Sequence, residues 1–364
     1  MSSSSKMSMI KYKIHSPESE VMILENCSID NKTIYVNEEI YSNRFLPTMW
    51  HGWDQPQPRH IRFKMENTNT SEQDDIKSPQ NNDILFIFDT WGTSSYYHLL
   101  IDHFFPLWTT KKYIESFLSK QLKIIGTPHY YRVSNNDYHP ELPTTKYIFQ
   151  DIFKKPFVEN VKGKFKYIVF GYFYNHRPFA TPFQTVNELW YPTLQEDLNE
   201  FVVAQRNLKN EAFENKYILI PTRETRQFQG INTIFQMLKE SYNVKLVDFG
   251  KYTFKEQIEL CESAWALVGC EGAAFSNQIF MDKKSLVVCI VEDGCFDGTL
   301  FHSAVGRYME HDFKTIYLTN STENDVIEFP IGLHTDPEHL LLVPKDLNEL
   351  VKTVKSIFDK ITNK

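Results

Sequence analysis

The sequence predicts an α/β fold of two Rossmann-like domains facing a central cleft. Three observations predict it. Apolar runs of strand length alternate with helical patterns in two separate sets, a polar stretch near 207–215 divides the sets, and one run ends in a small-residue turn that opens a helix. A chain of 364 residues is comfortable for two such domains, with bounds of 1–209 and 210–364.

The elements follow in order. Residues 1–9 are polar and lack the apolar stretch of a secretory signal, and 10–63 reads as a small β-rich part of short strands and turns. It contains Trp50-His51-Gly52-Trp53, which suits core packing, a lid or a sugar platform. Residues 66–75 lack apolar side chains and read as a loop. The first alternating set then runs strand 84–89, helix 96–117, strand 122–125, strand 167–173 and helix 189–206. The second runs strand 217–220, helix 231–240, strand 244–249, helix 254–263, strand 265–269, helix 273–281 and strand 285–291. A last helix, 347–361, carries Leu347, Leu350, Val351, Val354, Ile357 and Phe358 at helical spacing.

Composition excludes several classes. A formal net charge of -7 and a pI near 6.0, with lysines and arginines scattered, argue against nucleic-acid partners. No run is long enough to span a bilayer, and with no signal segment the chain is expected in the cytoplasm. The five cysteines, Cys27, Cys261, Cys270, Cys289 and Cys295, form no C-x-x-C pair and read as buried free thiols. No Asp-x-Asp, G-x-S-x-G or P-loop pattern occurs, so no metal is expected on a bound diphosphate.

Two constellations can carry chemistry. The turn Gly269-Cys270-Glu271-Gly272-Ala273-Ala274, with Ser276 and Asn277 behind it, lets backbone N–H groups at a helix start approach phosphate oxygens. The same small residues also suit plain packing. Upstream, a strand ends in a loop holding Arg223 and Arg226, two planar cations fitted to phosphate or to strand capping. Glu271 would repel a diphosphate and is expected on the ribose or sugar side, with Glu292; Glu256 and Gln257 read as cap or surface residues. In the first set, His98 and Asp102 stand at i and i+4 near a helix start and can share a proton. They serve either as a base with its orienting partner or as a packed imidazole satisfied by a carboxylate.

These segments, in this order, resemble family 61 glycosyltransferases. His98-x-x-x-Asp102 followed by Phe-Pro-Leu resembles the family's first motif, 223–232 its Arg-loop, and 268–277 its strand ending in Gly-x-His-Gly-Ala-Gly-Leu. Here Glu271 stands in place of the motif histidine, Ala274 in place of the second glycine, and Phe228 aligns with the second arginine. The resemblance implies the two-domain GT-B architecture and an inverting, metal-independent glycosyltransferase. Its donor would be a nucleotide sugar, UDP-linked GlcNAc or xylose first, and its acceptor a hydroxyl of a glycan or glycoprotein. On that reading Asp102, oriented by His98, deprotonates the acceptor. Arg223, Arg226 and the N–H groups of Gly272, Ala273 and Ala274 hold the diphosphate, and Glu271, Asn277 and Glu292 shape the ribose and sugar side. The alternative is a non-catalytic glycan- or nucleotide-binding protein with the same fold.

Overall fold

The strands sort into two sheets, one of mixed direction and one all parallel. The computed structural model describes residues 10–13, 20–30, 33–36, 62–65, 83–89, 95–122, 127–133, 142–171, 193–206, 216–222, 230–292, 296–318, 340–343 and 347–362. Two units divide the chain, Met1–Pro178 and Phe179–Lys364. The division lies N-terminal to the 209/210 boundary read from the sequence.

In the first unit, β1 (Ile10–Lys13), β2 (Glu20–Asp30), β3 (Thr33–Val36) and β4 (Arg62–Met65) precede β5 (Ile84–Asp89). A π-helix, His98–Phe104, runs into α1 (Phe105–Leu122), followed by β6 (Pro128–Val133), α2 (Thr145–Phe153) and β7 (Lys162–Phe170). The sheet order is β4-β3-β2-β7-β5-β6, with β1 beside β2. β5 is parallel to β6 and β7, whereas β2 is antiparallel to β1, β3 and β7. The N-terminal β segments are thus part of this mixed sheet, and its Rossmann-like portion is three parallel strands. The reason is legible in β2, whose Val21, Ile23, Cys27 and Ile29 alternate and are all buried. The other face is aromatic: Phe88 stacks on Phe149 at 5.2 Å, and Phe104 of the π-helix meets the same ring edge-on at 5.4 Å.

The second unit contains α3 (Leu194–Gln205), β8 (Tyr217–Pro221), α4 (Ile231–Lys239), β9 (Val244–Val247), α5 (Phe254–Glu262) and β10 (Ala264–Cys270). A 3-10 helix, Ala273–Phe280, leads to β11 (Leu286–Glu292), α6 (Phe296–Tyr308), β12 (Asp312–Leu318), β13 (Leu340–Val343) and α7 (Leu347–Thr362). Its six strands are all parallel, in the order β9-β8-β10-β11-β12-β13. One face packs Ile220, Val268, Ile290 and Ile316 against Ile234 and Leu238 of α4 and Val354 and Phe358 of α7. Each such fully buried side chain contributes about 1.5–3 kcal/mol. α5, the 3-10 helix and α6 pack together and are separate from that cluster. α3 belongs here too: Gln195 Nε2 donates to the Tyr308 carbonyl at 3.2 Å.

α6 approaches β12 so closely that there is no room for a methyl group. A Cβ on Gly306 would lie 2.7 Å from Cδ2 of Phe313 and 3.0 Å from Oε1 of Gln278. Gly306→Ala should therefore destabilise the protein. Overpacking costs about 1–3 kcal/mol, and the helix propensity gained returns about 1 kcal/mol. A lowered urea midpoint with an unchanged slope would show this; a raised midpoint would mean that the Phe313 ring shifts without strain.

Candidate functional site

The order of the second sheet defines a place for a ligand. β8, first in the chain, lies between β9 and β10, so the connections leaving the C-terminal ends of β8 and β10 turn to opposite sides. Open α/β sheets bind ligands in the crevice at such a switch point. The two strands are close there: a Cβ on Gly269 would stand 3.1 Å from Cδ of Pro221, the last residue of β8. The small residue at 269 is what lets β10 run beside a proline. Beyond Pro221, Thr222 N–H donates to the Val247 carbonyl at 2.8 Å. Arg223 and Arg226 follow and lie outside the described residues, as do Trp50 and Trp53.

At the end of β10 the ladder extends one residue further, with Glu271 N–H donating to the Ile290 carbonyl at 2.8 Å. Gly272 then starts the 3-10 helix, whose first internal bond runs from Phe275 N–H to the Gly272 carbonyl at 2.9 Å. The first amides of a helix have no partner within it. Those of Gly272, Ala273 and Ala274 are therefore the groups available to an anion, with Ala273 and Ala274 partly exposed.

Two side chains read as site or surface residues prove to be internal supports. Asn277 is fully buried and donates through Nδ2 to Oε1 of Gln257 at 3.1 Å. Gln257 is itself buried and donates to the carbonyls of Phe249 and Tyr252 at 3.0 and 3.1 Å. This chain of bonds fixes the 3-10 helix to the β9–α5 connection, so Asn277 holds the turn rather than offering a polar group to a ligand. Glu256 is the cap residue the sequence suggests: Thr253 Oγ1 accepts from its N–H at 3.3 Å, and its carboxylate accepts from Thr253 N–H at 2.8 Å. Those bonds from Thr253 hold the carboxyl below its usual range.

Glu271 has a neighbour that the sequence did not suggest. His302, on α6, places Nε2 3.6 Å from Glu271 Oε1; the histidine side chain is 3% exposed and the glutamate 15%. Burial first, and then the Glu271 carboxylate, push the thiol of Cys289 well up. Glu292 ends β11, and its side chain lies outside the described residues. Cys27, Cys261, Cys270 and Cys289 are free thiols. Among the described residues, no group of three or more His, Cys, Asp or Glu is placed to hold a metal ion.

In the first unit His98 and Asp102 do meet, with Nδ1 of the ring 2.6 Å from Oδ2 of the carboxylate. They sit on the π-helix, where Phe105 N–H reaches back to the Leu100 carbonyl. Pro106 has no N–H to continue the ladder, and the wider turn gives way to α1 beside it. Asp102 is buried, its side chain 3% exposed, while His98 keeps 27%. Nδ1 faces the carboxylate, which can only accept when ionised, and Nε2 is the ring's other nitrogen. Of the two side chains, His98 is the one that keeps contact with solvent, whereas the sequence reading gave the acceptor proton to Asp102.

The model of the family Glycosyltransferase 61 matches residues 96–288, more than half of the 364-residue chain, from the His98–Asp102 helix to the first residues of β11. The chain belongs to glycosyltransferase family 61. Membership implies glycosyltransferase activity, with a sugar donor and an acceptor as substrates. No curated protein matches the chain. Among the described residues, no helix is long and apolar enough to cross a membrane.

Proposed function

We propose that the chain is an inverting, metal-independent GT-B glycosyltransferase that moves a sugar from a nucleoside diphosphate to a hydroxyl of a glycan or protein in the cytoplasm. The observation that carries this reading is the small-residue turn at the switch point of the parallel sheet, within the stretch matched to the family. Acceptor chemistry is assigned to the first unit and donor binding to the second. The diphosphate lies on the amides of Gly272, Ala273 and Ala274, with Arg223 and Arg226 supplying the positive charge that a metal supplies elsewhere. Glu271 and Glu292 lie on the ribose and sugar side, and Asn277 supports the turn through Gln257.

Nε2 of His98 takes the acceptor proton as the hydroxyl oxygen attacks the anomeric carbon. The bond to the diphosphate breaks on the opposite face, and the phosphate oxygens keep the electron pair. Asp102 holds the ring and its tautomer and balances the imidazolium that forms. UDP-GlcNAc and UDP-xylose are the first donors to try.

The test is a thermal-shift screen of nucleoside diphosphates and their sugars, with and without EDTA. A ligand at a hundred times its Kd adds about 2.7 kcal/mol to the folded state. The expected result is stabilisation by one nucleoside diphosphate that survives EDTA, with donor turnover. Binding without turnover would assign the chain to the non-catalytic alternative, for which the replacement of the family histidine by Glu271 speaks. No stabilisation by any nucleotide would overturn the donor site.

A further inference from the structure

Glu271 and His302 form a pair at the switch crevice, and the histidine lies on α6, beyond the family match. At 3.6 Å the two are at ion-pair distance, too long for a direct hydrogen bond. His302 is itself held from two sides. Its carbonyl accepts from Gln278 Nε2 at 3.0 Å, and its ring tilts against Phe275 at 5.7 Å. Both partners belong to the 3-10 helix that follows Glu271, so turn, helix and α6 are tied into one unit around the carboxylate. The backbone of Glu271 is fixed as well, through the Ile290 carbonyl. A carboxylate with a pinned backbone and a buried imidazole beside one oxygen has a defined direction.

A carboxylate of fixed direction, one residue before amides suited to an anion, cannot face the same anion. It repels phosphate and accepts hydrogen bonds from neutral groups. Its two oxygens match two adjacent hydroxyls, and the donor carries such pairs on either side of the diphosphate: the ribose 2′,3′-diol and the ring of the transferred sugar. We propose that Glu271, positioned by His302, binds a vicinal diol of the donor. This rests on the donor site proposed above. His302 is a positioning residue with no contact to the donor.

Titration calorimetry on the full chain tests it with ADP, CDP, GDP and UDP, the 2′-deoxy form of each, and the sugar-linked form of the tightest binder. A hydrogen bond to a charged acceptor gives a preference of roughly 10- to 100-fold. That preference appears between ribose and 2′-deoxy forms if the diol is the ribose's, or between sugar-linked and plain diphosphate if it is the sugar's. Glu271→Ala should reduce it to near onefold. The form lacking the diol should bind this variant no more weakly than it binds the wild type, because the repulsion has gone too. His302→Ala should lower the preference and His302→Gln, which keeps an N–H, should restore part of it. A preference that survives Glu271→Ala, or none in either arm for a diphosphate that binds, would overturn this inference alone. Failure of every diphosphate to bind the wild type would overturn the donor site with it.

Discussion

Replacing His98 with alanine should lower sugar transfer by about 100- to 10,000-fold, the usual contribution of a positioned general base, and leave nucleoside diphosphate binding unchanged. The reason is accessibility. Asp102 is buried, its side chain 3% exposed, whereas His98 keeps 27% and is the one a hydroxyl meets first. The ring of His98 lies between that carboxylate and the surface, with Tyr97 edge-on against it at 5.6 Å. Asp102→Asn should lower kcat as well. An amide that donates to Nδ1 would favour the tautomer with its proton on Nε2, and so remove the base without emptying the space. The two variants should share a melting temperature near that of the wild type and differ from it in turnover. Wild-type turnover in His98→Ala would show that the acceptor proton leaves by another route, and the pair would then be only a buried contact of the first unit.

The parts of the fold legible in the sequence are those whose local pattern and burial agree. β8, β10 and β11 are buried on both faces and read as unbroken apolar runs, and α7 turns its apolar stripe onto the sheet. β6 was missed because its polar residues are satisfied only in three dimensions. The side chain of Arg132 is buried, its Nη2 is 2.5 Å from Glu159 Oε1, and its guanidinium lies over the Phe157 ring at 4.9 Å, while His129 pairs with Asp83 at 3.0 Å. An apolar run at 122–125 drew the strand assignment instead, although Leu122 closes α1. Spacing made His98 and Asp102 a pair but gave no sign of which one is exposed. For that the π-turn and the packing on α2 were needed, and Pro106 was the one local signal of a changed register. The small-residue turn was readable, but its position at a switch point was not, since strand order is a tertiary property. The same holds for His302, whose relation to Glu271 exists only once α6 packs on the 3-10 helix.

Acid should destabilise the protein in two separate windows, and the larger loss traces to one histidine. His311, between α6 and β12, is buried; its Nε2–H donates to the Gln278 carbonyl at 2.9 Å, and Nδ1 has no hydrogen-bond partner among the described residues. A second ring proton would have nowhere to go. Burial accordingly pushes its pKa down from 6.5 to about 4, against the opposing pull of the Gln278 carbonyl and the Asp282 charge. Between those values the unfolded chain binds a proton that the folded chain does not, so stability falls as pH drops from 6.5 towards 4. Each unit is worth about 1.4 kcal/mol, and the whole loss about 3 kcal/mol. Asp282 acts lower. Burial alone would raise its carboxyl, but hydrogen bonds from Lys216 and Arg206, the latter at 2.7 Å, outweigh that and hold it below its usual 3.8. Its contribution is therefore complete above that value and lost only as pH falls further, through the folded pKa. The contrast separates the two groups experimentally. His311→Gln, which keeps an N–H for the Gln278 carbonyl and does not titrate, should flatten the decline in urea midpoint between pH 6.5 and 4 and leave the decline below pH 4 in place. An unchanged slope above pH 4 in that variant would mean that other groups bind the acid protons first.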